Sequence, residues 1–244
     1  MIFDDRYRVF LADTPESRNL HFSLRYKVYF EETGWENNKA IAIKRLEQDK
    51  YDPFSVHFLV YDCVAHEWMA GMRLVVSKYE DLPMARSCQL ELAPSRNYEV
   101  NQCVEVSRLF VLPDYRCGKK RSNHGVDAEN RPKTEKAHSE ILLGLIRAAR
   151  EYGLGSNLRS WFFLVESSLA RRIQRLGIGL IPCGEAINHR GLRVPFYGEV
   201  ESCFNPLFST GSCISEMFSR TGTYQLYSEA FPDKRAELAW TVSG

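Results

Sequence analysis

Apolar residues along this chain keep two rhythms, and the changes between them mark its elements. "RYRVFLA", Arg6 to Ala12, reads as a first strand. Thr14 followed by Pro15 is an N-cap with a first-turn proline. Leu20, Leu24 and Val28 then repeat at helical spacing, which predicts a helix to about Tyr29. Residues 31–53 are mixed and charged and read as a loop with a turn or two of helix. "SVHFLVYDC" and "WMAGMRLVVS", joined by the polar turn Ala65–Glu67, predict an antiparallel hairpin, and a further strand spans 103–112. Residues 113–137 are polar and rich in turn formers, an exposed insertion. "HSEILLGLIRAAREYG" is the clearest helix, with Gly153 as its C-cap. "SWFFLVE" is a strand, "SSLARRIQRLG" a helix with a serine cap and Gly177 at its end, and strand pieces return near Leu180 and over Leu192–Val200. The order predicts an α/β (α+β) fold, a mixed sheet with helices on both faces. Residues 1–202 form one domain in this reading and residues 203–244 a C-terminal extension, patterned only by a helix near Ser212–Ser219.

The strand "VEVSRLFVLPDYR", Val104 to Arg116, breaks its own pattern. Glu105 and Arg108 interrupt a run of β-forming apolar residues, and charges seldom sit there unless paired or used. Residues three apart on a regular strand face opposite sides. Either a bulge lies near Ser107, or Arg108 turns away toward the first helix.

Charge and composition remove several classes. With 32 basic against 31 acidic residues, whole-molecule attraction to nucleic acid or to anionic membrane is unsupported. The longest helical apolar run, Ile141–Ile146, is too short to span a bilayer, and the first ten residues do not read as a signal peptide. Seven cysteines without a C-x-x-C pair fit a reducing compartment, so the expected location is the cytoplasm. Six scattered histidines give no metal spacing, and His57 reads as a core or edge residue rather than a ligand.

Specific motifs then carry a resemblance. "SRLFVLPDYR" has the V-x-P-x-x-R shape that leads out of the fourth strand in GNAT-type acyltransferases. Arg25, Tyr29, Trp35, Asp49, Asp52, Arg73 and the pair Glu105 and Arg108 follow the order and intervals of the acyl-homoserine-lactone (autoinducer) synthases. "LRYKVYFEETGWE", "EQDKYD" and "HRGLRVPF" resemble most closely the PEP-CTERM/exosortase-associated acyltransferases, relatives of those synthases and of N-acyl amino acid synthases. The resemblance spans roughly residues 18–200. It departs in two places: Tyr29 replaces the usual Phe of the autoinducer synthases, and the phosphate loop R-x-x-G-x-G is missing, because "CGKKR" follows Arg116.

The resemblance implies a mostly antiparallel GNAT-like sheet whose fourth and fifth strands splay into a V around the thioester arm of an acyl donor. It implies an N-acyltransferase that moves a fatty-acyl chain to the amine of a small amino-acid-like acceptor. Glu105 is the candidate base, acting directly or through a water, against the reading that it only pairs with an arginine to hold the sheet. Ser107 is grouped with it as catalytic, although without a G-x-S-x-G frame it is no serine nucleophile. Backbone N–H groups near Leu109 or Phe110 are the candidate oxyanion donors. Leu109, Phe110, Val111, Arg116, Gly118, Trp161 and Phe163 make up the donor site. Arg25, Asp49, Asp52, Arg73 and Arg108 form a buried charge cluster that shapes the acceptor pocket, which Tyr29 and Trp35 either line or merely support as core.

No cofactor is held permanently in this reading; an acyl-phosphopantetheine thioester enters as substrate. The lost phosphate loop weakens the case for coenzyme A. Seven basic against three acidic residues between Arg116 and Lys136 then suit an acidic acyl carrier protein, docking on Lys119, Lys120, Arg121, Arg147 and Arg150. The alternatives are an acyl-homoserine-lactone synthase using S-adenosylmethionine, and a non-catalytic acyl-carrier-binding module.

Overall fold

The β-branched and aromatic runs pair into one sheet. The computed structural model describes residues 3–36, 38–91, 102–116 and 135–232. Its strands are β1 (Tyr7–Leu11), β2 (Ser55–Asp62), β3 (Glu67–Ser77), β4 (Cys103–Val111), β5 (Ser160–Val165), β6 (Ile181–Pro182), β7 (Ile187–Asn188), β8 (Leu192–Glu199) and β9 (Gln225–Leu226). They lie in the order β6-β8-β5-β4-β3-β2-β1-β9, with β7 pairing β8. The pairs β4–β5 and β1–β9 are parallel, and the other described pairs are antiparallel. The helices are α1 (Phe3–Arg6), α2 (Pro15–Tyr26), α3 (Lys39–Lys44), α4 (Glu135–Gly155), α5 (Ser167–Arg175), α6 (Asn205–Phe208), α7 (Cys213–Ser219) and α8 (Tyr227–Ala230). The mixed, mostly antiparallel GNAT-like sheet with helices on both faces is the architecture that the sequence led us to expect. No helix among the described residues is long and apolar enough to cross a membrane.

Period-two alternation sorts the faces. Phe58, Met72, Leu74, Val104, Val106 and Phe163 point to the main core, where Ile141, Leu145 and Ile146 of α4 and Ile173 of α5 pack on them. Leu59 and Phe110 point to the opposite face and meet Leu24, Val28 and Tyr29. Gly71 on β3 has to be glycine there, since a Cβ would lie 2.8 Å from the Phe58 carbonyl oxygen as well as 2.6 Å from the Phe110 ring.

Two irregularities position the site. First, β4 pairs β5 only over Cys103–Val106 against Ser160–Phe163. Beyond that, β4 stays with β3 while Leu164 and Val165 of β5 stay with β8. The strands diverge into the expected V. Second, the β3–β4 register shifts between Gly71 and Arg73, where Arg108 takes a left-handed φ of 48°. This is a bulge, and it turns Arg108 onto the face of Arg73 and Ser107.

The element readings need four corrections. The first helix is capped as expected, Thr14 Oγ1 accepting from Ser17 N–H at 3.1 Å, but it gives way after Tyr26 to a π-helical stretch, Lys27–Glu32. α4 does not stop at Gly153 but runs to Gly155; a Cβ at Gly153 would come 3.2 Å from Val200, so that glycine serves helix packing. α5 has Glu166 as its N-cap rather than a serine, with no side-chain cap bond. The stretch after Cys203 is no appendage over its described part. Phe204, Leu207, Met217 and Phe218 join the main core, and β9 pairs β1 through Phe10↔Gln225 and Leu11↔Leu226. Beside it the Ser228 amide donates to Asp13 Oδ1 at 3.0 Å and the Tyr227 hydroxyl to Glu16 at 3.1 Å.

Candidate active site

A cavity of about 480 Å³ occupies the V, passing from one face of the sheet to the other. Its polar end holds Glu105, Ser107, Arg108, Tyr29, Trp35, His189, Arg190 and Arg193. Its apolar end runs under the helices, between Met72, Val106, Leu142, Leu145, Ile146, Phe163, Leu169 and Ile173. His138, Arg172 and Arg116 also line it.

Glu105 is 5% exposed and lies opposite Val75 on β3 and Phe162 on β5. Its Oε2 accepts the Met84 backbone N–H at 2.6 Å. Burial pushes its carboxyl up to about 7, against the Met84 N–H and the cations of Arg73 and Arg108. No ion pair holds it among the described residues, so the reading of Glu105 as a mere salt-bridge strut has no partner to rest on. Ser107 Oγ accepts from Arg73 Nε at 3.1 Å.

Behind this end sits the charge cluster. Arg25 from α2 grips Asp52 through Nη1 at 2.6 Å and Nη2 at 3.3 Å, and its Nε meets Glu47. Arg73 donates through Nη1 to Asp49 at 2.7 Å and Asp52 at 2.9 Å. Arg108 donates through Nη2 to Glu47 at 3.1 Å and Asp49 at 3.0 Å. Burial alone would raise the Asp52 carboxyl, but Arg25 and Arg73 outweigh it and hold the group at about 2. Arg25 and Arg73 are fully buried, and at the centre of this network three arginines and three carboxylates satisfy one another. His57 lies beneath it, its Nε2 3.8 Å from Asp52, and burial keeps it neutral with a pKa near 4. It is a core residue, as the sequence suggested.

Glu47 is the member that the sequence reading missed. Its signal was arithmetic: three arginines against Asp49 and Asp52 leave one positive charge over. The Arg108 alternatives also resolve, since the bulge and the turn toward the carboxylates are one event. Above Arg108, Tyr29 stacks on Trp35 at 5.9 Å between ring centroids, and its hydroxyl donates to the Leu109 carbonyl at 3.0 Å. Both aromatics line the cavity.

Leu109, Phe110, Val111 and Phe163 line the cavity, and so does Arg116, which donates to the Val111 carbonyl at 2.6 Å and to Glu32 at 2.9 Å. Trp161 does not line it. It sits opposite Val104 where the strands are still paired, fully buried against Phe204, and is core. Arg147 is not on the surface either: 3% exposed, it pairs with Asp4 and crosses the Phe3 ring. Arg150 is half-buried between the Phe204 and Phe208 rings. Gly118, Lys119, Lys120 and Arg121 lie outside the described residues. No cluster of three metal-ligating side chains occurs among the described residues.

Residues 24–122 match the family described as Acetyltransferase (GNAT) domain, the part that carries the charge cluster and β4. No curated protein matches the sequence. Among solved structures the chain is similar to BjaI, a CoA-dependent acyl-homoserine lactone synthase, with 17% identity, TM-score 0.61, and 90% of this chain covered against 93% of that one. It is similar to the acyl-homoserine lactone synthase LasI at 15% identity and TM-score 0.57, covering 83% and 94%. It is also similar to FeeM, an N-acyl amino acid synthase from uncultured soil microbes, at 13% identity and TM-score 0.57, covering 85% and 97%. The fold is thus GNAT-like, of the kind these synthases share.

Proposed function

We propose that the protein is an N-acyltransferase that moves a fatty-acyl chain from a phosphopantetheine thioester to the amine of a small amino-acid-like acceptor. One observation carries this reading. The V between β4 and β5 opens a single cavity with a buried, weakly acidic carboxylate at one end and an apolar channel at the other. The thioester lies in the V, its chain under α4 and α5. Glu105 takes a proton from the acceptor ammonium, directly or through a water. The freed amine attacks the thioester carbonyl, and the oxyanion forms against backbone N–H groups of the strand near Leu109 and Phe110. As the oxyanion collapses the C–S bond breaks, the second proton of the attacking nitrogen passing to the departing sulfur so that it leaves as the thiol. General-base help of this kind supplies about 10²–10⁴-fold and one oxyanion donor about 10²–10³-fold.

Acyl carrier protein is the favoured donor in this proposal. The exposed Arg171 and Arg175 of α5, with Arg172 at the cavity wall, offer the cationic surface that Arg147 and Arg150 do not. BjaI, being CoA-dependent, keeps acyl-CoA as the alternative donor. The link to exosortase-associated enzymes rests on the sequence motifs. Incubation with acyl carrier protein or acyl-CoA and a panel of amino acids, with thiol release and product mass followed, tests the reading. An N-acyl amino acid supports it. An acyl-homoserine lactone formed only with S-adenosylmethionine replaces it by the lactone synthase, and carrier binding without thiol release replaces it by a non-catalytic module.

A further inference from the structure

The short hairpin of β7 and β8 pairs Ile187 with Arg193 and Asn188 with Leu192. Its turn is left-handed at Arg190, φ 53°, and at Gly191, φ 101°, and His189 N–H closes it on the Gly191 carbonyl at 2.9 Å. The turn sets two arginines on the cavity wall. Arg190 is paired with Glu36, which also stands 3.7 Å from Arg108. Arg193 is held differently. Its Nε donates to the His189 carbonyl at 2.8 Å, and its guanidinium carbon lies 5.5 Å from the Trp35 ring centroid. Trp35 is itself backed by Tyr29.

The arginines at this end differ in how they are held. Arg108 faces Glu36, Glu47 and Asp49, Arg116 faces Glu32, and Arg190 faces Glu36. Arg193 has no carboxylate partner among the described residues, although a carbonyl and an aromatic plate fix its position. With Nε occupied, the two terminal nitrogens remain as a fork, the geometry that takes a carboxylate through two parallel bonds. Arg172, the other lining arginine with no ion pair among the described residues, belongs to α5 and acts on His138.

Resting on the acyl-transfer reading, we infer that Arg193, braced by Trp35, binds the carboxylate of the acceptor, so that the acceptor is a free amino acid and not an amine, amide or ester. What this adds to the acyl-transfer reading is the residue that selects for the carboxylate. It also gives the HRGLR stretch its role.

Titration calorimetry with two product analogues tests the inference apart from turnover. N-Decanoylglycine carries the carboxylate and N-decanoylglycinamide lacks it. The parent protein is expected to bind the acid about ten- to a hundredfold more tightly, the range of a charged hydrogen-bonded pair. Arg193→Ala should bring the two affinities within about threefold, by weakening the acid while the amide binds as it does to the parent. The retained amide affinity also reports that the variant is folded. Arg193→Lys should keep part of the preference. A parent that binds both analogues equally, or neither, overturns the inference, as does an Arg193→Ala protein that still prefers the acid. Failure of the acyl-transfer reading shows separately, as absence of thiol release with every amine offered.

Discussion

Replacing Glu105 by glutamine separates catalysis from architecture, because the two roles predict opposite changes in stability. The carboxyl rises from an ordinary value of 4.5 to about 7 through burial. Between those values the native state binds more protons than the unfolded chain, so this group's contribution to stability falls as pH rises through that window. Above pH 7 the full cost, about 3 kcal/mol, is in place. Glutamine keeps an oxygen for the Met84 N–H and removes the charge, at the expense of a buried amide N–H worth about 1–3 kcal/mol if unpaired. The variant should therefore unfold at pH 8 no more readily than the parent, while turnover drops by about 10²–10⁴. In the parent, kcat/KM should climb about tenfold per pH unit below 7 and level off above it, since the base must be ionised. Differential scanning fluorimetry at pH 8 and thiol-release kinetics across pH 5.5–8.5 read both. A variant within about threefold of parental turnover, or one clearly less stable at pH 8, would show that Glu105 holds the sheet and does not move the proton.

The other expectations concern the cluster, the channel and the donor surface. Asp52→Asn or Arg73→Ala should cost about 3–5 kcal/mol in chemical denaturation, because each strands a buried partner. Asp52 is depressed to about 2, so its stabilisation is complete above pH 3.8 and is lost as pH falls toward 2; the asparagine variant should lack that acid loss, and an unchanged acid midpoint would contradict the network. Leu169→Trp, at a half-buried wall of the apolar end, should shift donor preference toward shorter acyl chains in competition assays, whereas an unshifted preference places the chain elsewhere. Charge reversal at Arg171 and Arg175 should raise the KM for acyl carrier protein, with steep salt dependence and unchanged kcat, while Arg147→Glu should lower stability instead because it breaks the buried pair with Asp4.

Much of this site was legible through the resemblance to the autoinducer synthases, whose motif residues fall in order along the chain. The order Arg25, Asp49, Asp52, Arg73, Arg108 is a list of cluster members, and the charges in β4 announced that the strand does more than fill a core. Two misreadings have a common origin in what a linear pattern omits. Alternation places Trp161 and Phe163 on one face of β5, but where β4 leaves β5 is set by tertiary pairing, and that decides which ring meets the cavity. Arg147 sits between Ile146 and Ala148 on a helix that is apolar over most of its circumference. Such a helix is buried on more than one side. The second cover is the stretch after Cys203, whose weak pattern concealed it. The widened turn at Lys27–Glu32 has no sequence signature that would have distinguished it from ordinary helix.

The parallel pairing of β9 with β1 also sets an order of assembly. Phe10 and Leu11 are translated some two hundred residues before Gln225 and Leu226, so β1 waits with an open backbone edge while the rest of the sheet is made. The segment that joins the two is among the longest closures in the fold, so this pairing carries a high loop-closure entropy. Asp13 and Glu16 wait likewise for Ser228 and Tyr227. Nascent or truncated chains lacking residues 223–230 therefore leave the β1 edge unpaired at Phe10 and Leu11, a stretch of backbone open to pairing with a second chain.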